Sequence, residues 1–492
     1  MEYLDPVKQK RYKIMLLCGY GSVAIAIAIG CLILLWISYG YNYNLNNGRV
    51  TQNGMLYLSS QPNPANIYIN GKLNSTTTNT RLIMNAGTYH FTIADKGYRS
   101  WNHVIQILGG EVEHYDYPLL FPQQLISKTI YQFKTAPEFA SQSPNQQYLV
   151  VPSTSNFGSF KMFNLNTPKT APVSLTLPSG LLGQSLSSQT WQVVGWANDN
   201  QHLLLEYSDN NTPEFIELDT QHPSQSINLN QTFNINPSSV SFNNLQYNSF
   251  YFYNSGTKVL SEASIGSSVV TPILASVLAY KSYGTNDVLY ATSAGAPPND
   301  VVIELYNGTS SYFVRYLPIA QTYLLNMASY NGNIYMAVGD SSDHLFYLYE
   351  NPLSQISNNS KSQISPFRAL LIANPNYESF APTAQFIMVE NVNSFVVYNF
   401  DNQSVVQYST APPLEAPQTH AQWMDGDRII YVSNNQLTVA DYDNTNRQTL
   451  TAALPNYQAF FSANYNSYFS LANSSQQSGA VDLKQTSLIA AS

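Results

Sequence analysis

Two short acidic stretches hold the most metal-capable chemistry in the chain: Asp425-Gly426-Asp427 and Asp441-Tyr442-Asp443-Asn444. Side-chain oxygens at alternate positions of a tight turn converge on a hard cation, which makes Asp425, Asp427, Asp441 and Asp443 the candidate calcium ligands. The plainer account is that Asp and Asn sit in turns for their own backbone hydrogen bonds, and it is preferred; no cofactor is expected. The histidines fall singly. His90, His103 and His114 belong to separate strands, without the convergence a ligand set needs, while His202, His222, His344 and His420 are expected to be structural or exposed.

Nucleophile motifs are missing. Neither Gly180 to Ser185, nor Gly256 to Ser261, nor Gly266-Ser267-Ser268 fits a Gly-x-Ser-x-Gly elbow, and no His-Glu-x-x-His occurs. Repeated Ser-x-Asp-x-Gly-x-Thr-Trp turns with an arginine trio, which a sialidase-like enzyme would show, are absent from the sequence. No catalytic residue is therefore named. Tyr247, Phe250, Tyr251, Phe252 and Tyr253 form an aromatic cluster able to stack on sugars or proline-rich peptides. Their alternation fits an inner blade strand buried on both faces, so core packing is the expectation.

The elements that carry these residues begin with a membrane anchor. Residues 14–38 contain no charged side chain and follow Lys8, Lys10, Arg11 and Lys13. At about 1.5 Å per residue such a helix crosses a hydrocarbon core of about 30 Å. The basic residues should keep residues 1–13 in the cytoplasm and place everything after the span outside it. A cleaved signal peptide and a lipoprotein site at Cys31 are the alternatives, but the apolar run is long for a signal and continues through Leu32 to Trp36. Ser22, Ala26 and Gly30 recur every four residues, a pattern that lets helices self-associate.

Composition narrows the partners. The 492 residues are too many for one ordinary domain, and only 10% are charged. Beyond the tail, 17 Lys and Arg face 27 Asp and Glu, which argues against nucleic acid and anionic lipid. Both cysteines, Cys18 and Cys31, lie in the span, so the outer part has no disulfide and leans towards a bacterial surface protein. Sequons at Asn74, Asn210 and Asn307 are expected by chance in so Asn-rich a chain.

After a spacer at 39–53, residues 54–121 read as a small β-sandwich. Met55 to Ser59 and Asn66 to Ile69 alternate, Asn70-Gly71 suits a type I′ hairpin turn, and Tyr89, Phe91 and Ile93 share one face. Gly54, Ser60-Gln61-Pro62, Ile67-Tyr68-Ile69-Asn70-Gly71, Leu82, Gly87-Thr88-Tyr89, Lys96-Gly97-Tyr98 and Trp101 together resemble the PEGA domain. Two features depart from that pattern: Pro64 stands where glycine is usual, so the local turn must differ, and Asn79 replaces the usual proline after threonine. The resemblance implies an extracytoplasmic binding or spacer module without catalytic residues.

Residues 122–492 are nearly all strand-like. Three stretches repeat one order of turn, strand, turn, strand, starting at Ser143-Pro144-Asn145, Gly195-Trp196-Ala197-Asn198-Asp199 and Gln422-Trp423-Met424-Asp425-Gly426-Asp427. Fainter copies centre near Phe242, Tyr283, Tyr330, Ala384 and Ala463. Spacings of about 40 to 53 residues suit four-stranded blades, so the expectation is an all-β chain with a propeller of seven or eight blades. The clear units resemble WD-type and TolB-like propellers, with Trp423 to Asp427 the best match. A tandem sandwich array would repeat at about twice that length.

Fold alone does not settle function. The expectation is a membrane-anchored scaffold at the cell envelope that binds glycan or protein at the propeller loops or channel. The alternative is an envelope hydrolase or lyase acting on glycan or peptide, recognisable by two carboxylates and a basic residue in the channel. A sensor signalling inward ranks last, because residues 1–13 are too few for an output domain.

Overall fold

The computed structural model describes residues 6–490 apart from 45–48, 154–156, 184–188, 210–211, 268, 357–362, 411–412, 415–419 and 456. Residues 1–5 of the tail, Ser185, and Asn210 and Asn211 of one sequon lie outside the described residues. Two compact units emerge: Met1–Gln124 with Ala490–Ser492, and Leu125–Ile489.

The first unit opens with α1 (Pro6–Ser38), continuous because residues 14–38 offer uncharged, mostly apolar side chains and no proline. It is one helix long and apolar enough to cross a membrane. Ser22 Oγ donates back to Gly19 O at 2.8 Å, within the helix.

Eight strands follow: β1 (Tyr41–Asn44), β2 (Arg49–Leu58), β3 (Asn66–Ile69), β4 (Lys72–Thr77), β5 (Thr80–Asn85), β6 (Gly87–Ala94), β7 (Trp101–Ile107) and β8 (Val112–Tyr115). One sheet runs β1-β2-β5, with β8 parallel to β2, and the other runs β4-β3-β6-β7. Alternation directs Leu56, Leu58, Ile67, Phe91, Ile93, Trp101, Ile105 and Ile107 into one core, the sandwich the pattern predicts. Asn70 and Gly71 both take positive φ, as a type I′ turn requires. Around Pro64 the turn is held by Thr78 Oγ1, which accepts from Ser60 Oγ and from the Ala65 amide, each at 2.8 Å.

Part of the stretch expected to be a spacer is paired instead. β1 and the start of β2 take up 41–44 and 49–53, with Tyr41 opposite Gln52 and Tyr43 opposite Val50. Tyrosines alternating with asparagines give β1 the period-two face that a spacer reading overlooks.

The second unit contains eight four-stranded antiparallel sheets in chain order. The eighth takes its outer strand from the start of the unit: β9 (Ser127–Phe133) pairs with Val481–Ser487. Apolar clusters join seven of the eight neighbouring pairs of sheets. The first and second sheets share Val150, Phe160, Trp191 and Leu205, and the eighth and first share Phe469, Leu483, Leu149 and Phe163. Between the seventh and eighth, the Thr451 and Tyr468 hydroxyls lie 2.7 Å apart. This is a β-propeller of eight blades. All eight repeat centres in the sequence fall on or at the edge of the turn between a blade's first and second strands.

The aromatic cluster lies in the third blade's second strand, Ser249–Asn254, one strand out from the inner position expected. Phe250 and Phe252 pack towards the second blade and Tyr251 towards the fourth, so the strand is buried on both faces. Tyr247 is the exception, a partly exposed ring stacked on His202 at 4.3 Å.

Candidate functional site

First strands of the second and third, fourth and fifth, and fifth and sixth blades touch one another, as strands at the centre of a ring do. They bound a cavity of about 630 Å³ lined by Val194, Ser239, Ser241, Tyr280, Lys281 and Asn326, among others. Alternation sends Val240 into the second and third blades' core and leaves Ser239 and Ser241 on the wall, while Phe242 touches both. The wall is mixed, with the Ser239, Ser241 and Asn326 side chains set among Val194, Trp196, Leu245 and Met327.

Among the described residues, the eight first strands carry two charged side chains, Lys281 and Glu378. Glu378, in the sixth blade's first strand Tyr377–Phe380, accepts from Asn326 Nδ2 at 3.0 Å. Protein encloses it, and that burial raises its pKa from 4.5 to about 7 against the pull of Asn326 and Lys281. Near neutrality this carboxyl is shared between an acceptor and a donor form. The Tyr280 and Ser241 hydroxyls meet at 3.1 Å nearby.

The acidic turns come together differently from a metal site. Arg428, buried, sits among them: its Nη2 donates to Asp425 Oδ2 at 2.6 Å. Asp425 Oδ1 accepts the amides of Asp427 and Arg428, each at 2.8 Å, while Asp441 Oδ2 accepts from Asn446 Nδ2 at 2.8 Å. Asp443 closes its own turn, accepting from Thr445 Oγ1 at 2.6 Å. Burial alone would push the Arg428 pKa down, but Asp425, Asp441 and Asp427 outweigh it and hold the guanidinium above its ordinary value. The positive charge in this acidic cluster is the protein's own. Among the described residues, no group of three or more His, Cys, Asp or Glu is placed to hold a metal. Gly426 is fixed by room, since a Cβ there would meet Thr383 Cγ2 at 2.7 Å.

Three histidines expected to stand alone are engaged, His222 by Asp219 Oδ2 at 3.5 Å from its Nδ1. His202 Nδ1 lies 2.5 Å from Asp199 Oδ2 and its Nε2 3.6 Å from Asp219 Oδ2. His420 Nδ1 lies 2.8 Å from the buried Glu390 and its ring stacks on Tyr377 at 4.2 Å. Burial raises the Glu390 pKa, opposed by His420 and the Ala421 amide. The Asp-x-x-His spacing at 199–202 is a usable sequence signal; Glu390 and His420, 30 residues apart, leave none. Beside His202, Glu217 is buried with Oε1 unpartnered, and burial followed by the charges of Asp199 and Asp219 raises its pKa to about 8. On the sandwich, His114 stacks on Tyr57 at 4.8 Å and His103 on Trp101 at 5.4 Å.

Residues 53–120 match the model of the PEGA domain. The chain therefore joins a PEGA domain to an eight-bladed propeller. No curated protein matches it in sequence. Among solved structures it is similar to dihydro-heme d1 dehydrogenase NirN, at 11% identity and TM-score 0.41, covering 64% of this chain and 66% of that one. It is also similar to the Cps50 (Swd1) β-propeller domain of Myceliophteria thermophila, at 10% identity and TM-score 0.38, covering 73% and 99%. An oligogalacturonate lyase in complex with manganese is similar at 10% identity and TM-score 0.40, covering 74% and 99%. The propeller assignment rests on the eight sheets and their shared cores.

Proposed function

We propose that this chain is a single-pass membrane protein whose PEGA domain and propeller act outside the cytoplasm as a binding or scaffold unit for envelope glycan or protein. The observation that supports this most directly is the channel wall. A cavity of about 630 Å³ faced by Ser239, Ser241, Tyr280 and Asn326 offers hydroxyl, amide and aromatic contacts of the kind a sugar or extended peptide uses. Lys281 of the same lining adds one cation, and Glu378, bonded to the lining residue Asn326, adds one carboxyl able to donate or accept near neutrality. A glycan hydrolase of the usual kind pairs two carboxyls, and among the described first strands Glu378 is the one carboxyl.

The test is the full-length chain in detergent micelles, probed with arrays of envelope glycans and peptides. A retained ligand should lose at least about tenfold in affinity on Lys281→Ala or Glu378→Ala, the loss expected when a buried polar contact goes unmade. Retention unchanged by both substitutions would overturn the channel as the site. Cleavage of an array member, abolished by Glu378→Gln, would install the hydrolase or lyase instead.

A further inference from the structure

The helix and the sandwich are joined without a tether. Tyr39 N donates to Leu35 O at 3.0 Å and Gly40 N to Ile37 O at 2.9 Å, closing the last helical turn. Gly40, at φ +77°, reverses the chain, and its carbonyl accepts from the Asn53 amide at 2.7 Å. Gln52 Nε2 adds a bond of 2.9 Å to Tyr39 O. The end of α1 is thereby bonded to the midpoint of β2.

From this joint the β1 and β2 strands leave as a hairpin with two unlike faces. Opposed residues of an antiparallel pair share a face, so Tyr41, Tyr43, Val50 and Gln52, whose amide is spent on Tyr39 O, form one side, with Asn42 and Thr51 on the other. Tyr43 and Val50 are about half exposed, at 50% and 54%, and Tyr41 is 38% exposed. The Trp36 ring of α1 lies against Tyr41, stacked with centroids 6.1 Å apart. The aromatic face is thus continuous with the final turn of the apolar helix.

We propose that this hairpin face is a second membrane contact, with Tyr41, Tyr43 and Val50 seated in the headgroup layer beside Trp36. The proposal rests on α1 remaining in the bilayer. Residues 14–38 exceed the length a hydrocarbon core needs, so Trp36 falls at the interface. That layer accepts tyrosine and tryptophan because a ring has an apolar body and a polar tip. The occupant is the zwitterionic lipid interface, since the face carries no cation to select anionic headgroups. Helix, hairpin and sandwich would then hold one pose on the membrane surface.

The experiment uses the full-length chain with Cys18→Ser and Cys31→Ser in phosphatidylcholine nanodiscs, spin-labelled singly through Ile25→Cys, Tyr43→Cys or Ser75→Cys. Collision with oxygen, which partitions into lipid, is compared with collision with a water-soluble nickel chelate. The label at 43 should fall between the lipid-immersed label at 25 and the water-exposed label at 75. A label at 43 as water-exposed as that at 75, with 25 still immersed, overturns the proposal and leaves the anchor intact. Water exposure at 25 overturns the anchor, and the proposal with it.

Discussion

The second and seventh blades use one turn design with different charges. In each, an aspartate carboxylate accepts the amides two and three residues later: Asp199 from Gln201 and His202, Asp425 from Asp427 and Arg428. In each, the residue third after that aspartate pairs across the ladder with a second aspartate, His202 with Asp219 and Arg428 with Asp441. Two positions before the second aspartate the blades part, with Glu217 in one and Val439 in the other. The seventh blade therefore holds its carboxylates with a permanent cation over an apolar residue. The second holds them with an imidazole over a third, buried acid. The backbone needs the first aspartate and the cross-strand pair; the charge balance is free to differ, and with it the response to pH.

Removing the permanent cation should have the largest effect. Arg428→Met leaves Asp425 and Asp441 facing each other without their guanidinium, a loss of about 3–5 kcal/mol by analogy with broken buried pairs. Urea denaturation at neutral pH measures it. A loss under about 1 kcal/mol would place the pair among weak surface bridges and remove the contrast between the blades.

The next effect is smaller and depends on pH. Folded Glu217 keeps its proton up to about pH 8, whereas in the unfolded chain it releases it near 4.5. Between those values the folded state binds more protons, so this group makes stability fall as pH rises through the window. Asp199 and Asp219 act with the opposite sign. Burial would raise them, but the hydrogen bonds around them outweigh it and hold each below 3.8, so their contribution is lost only as pH falls through that lower range. Glu217→Gln removes the first term and keeps the second. It should stabilise the protein by a few kcal/mol above pH 8, and the gain should vanish towards pH 4.5. Thermal melts of both proteins across that range test it; a gain independent of pH would mean that packing, not ionisation, is responsible.

Much of the architecture was legible because it is local. The eight repeat centres mark turns, and turn chemistry at Asp199, Ala384 or Asp425 is written in neighbouring residues. Asn70-Gly71 likewise specifies its hairpin. The site was not legible, because it depends on which strand of a blade faces the centre. Glu378 reads as one more polar residue of a short strand until Asn326, 52 positions earlier, meets it from the neighbouring blade. His420 and Glu390 are joined only by blade-to-blade packing. The 39–53 stretch was misread for a different reason: its asparagines and glycine signal loops, while pairing of Tyr43 with Val50 outweighs them.

The smallest expected effect concerns the acidic turns as calcium ligands. Asp443 bonds within its own turn, to the Thr445 amide at 3.0 Å and its hydroxyl at 2.6 Å, and stays partly exposed. Asp443→Ala should therefore cost only about 1 kcal/mol, the worth of a partly solvated turn bond. Adding millimolar calcium should leave the melting temperature of the parent protein unchanged, because a ligand must bind the folded state to raise it. Calcium would have to displace the Arg428 guanidinium, already 2.6 Å from Asp425, and carry a second positive charge into its place. A calcium-dependent rise lost in Asp443→Ala but kept in Asp199→Ala would show that the turn at 441–444 binds the ion despite that guanidinium. Both blades would then differ in ligand as well as in pH response.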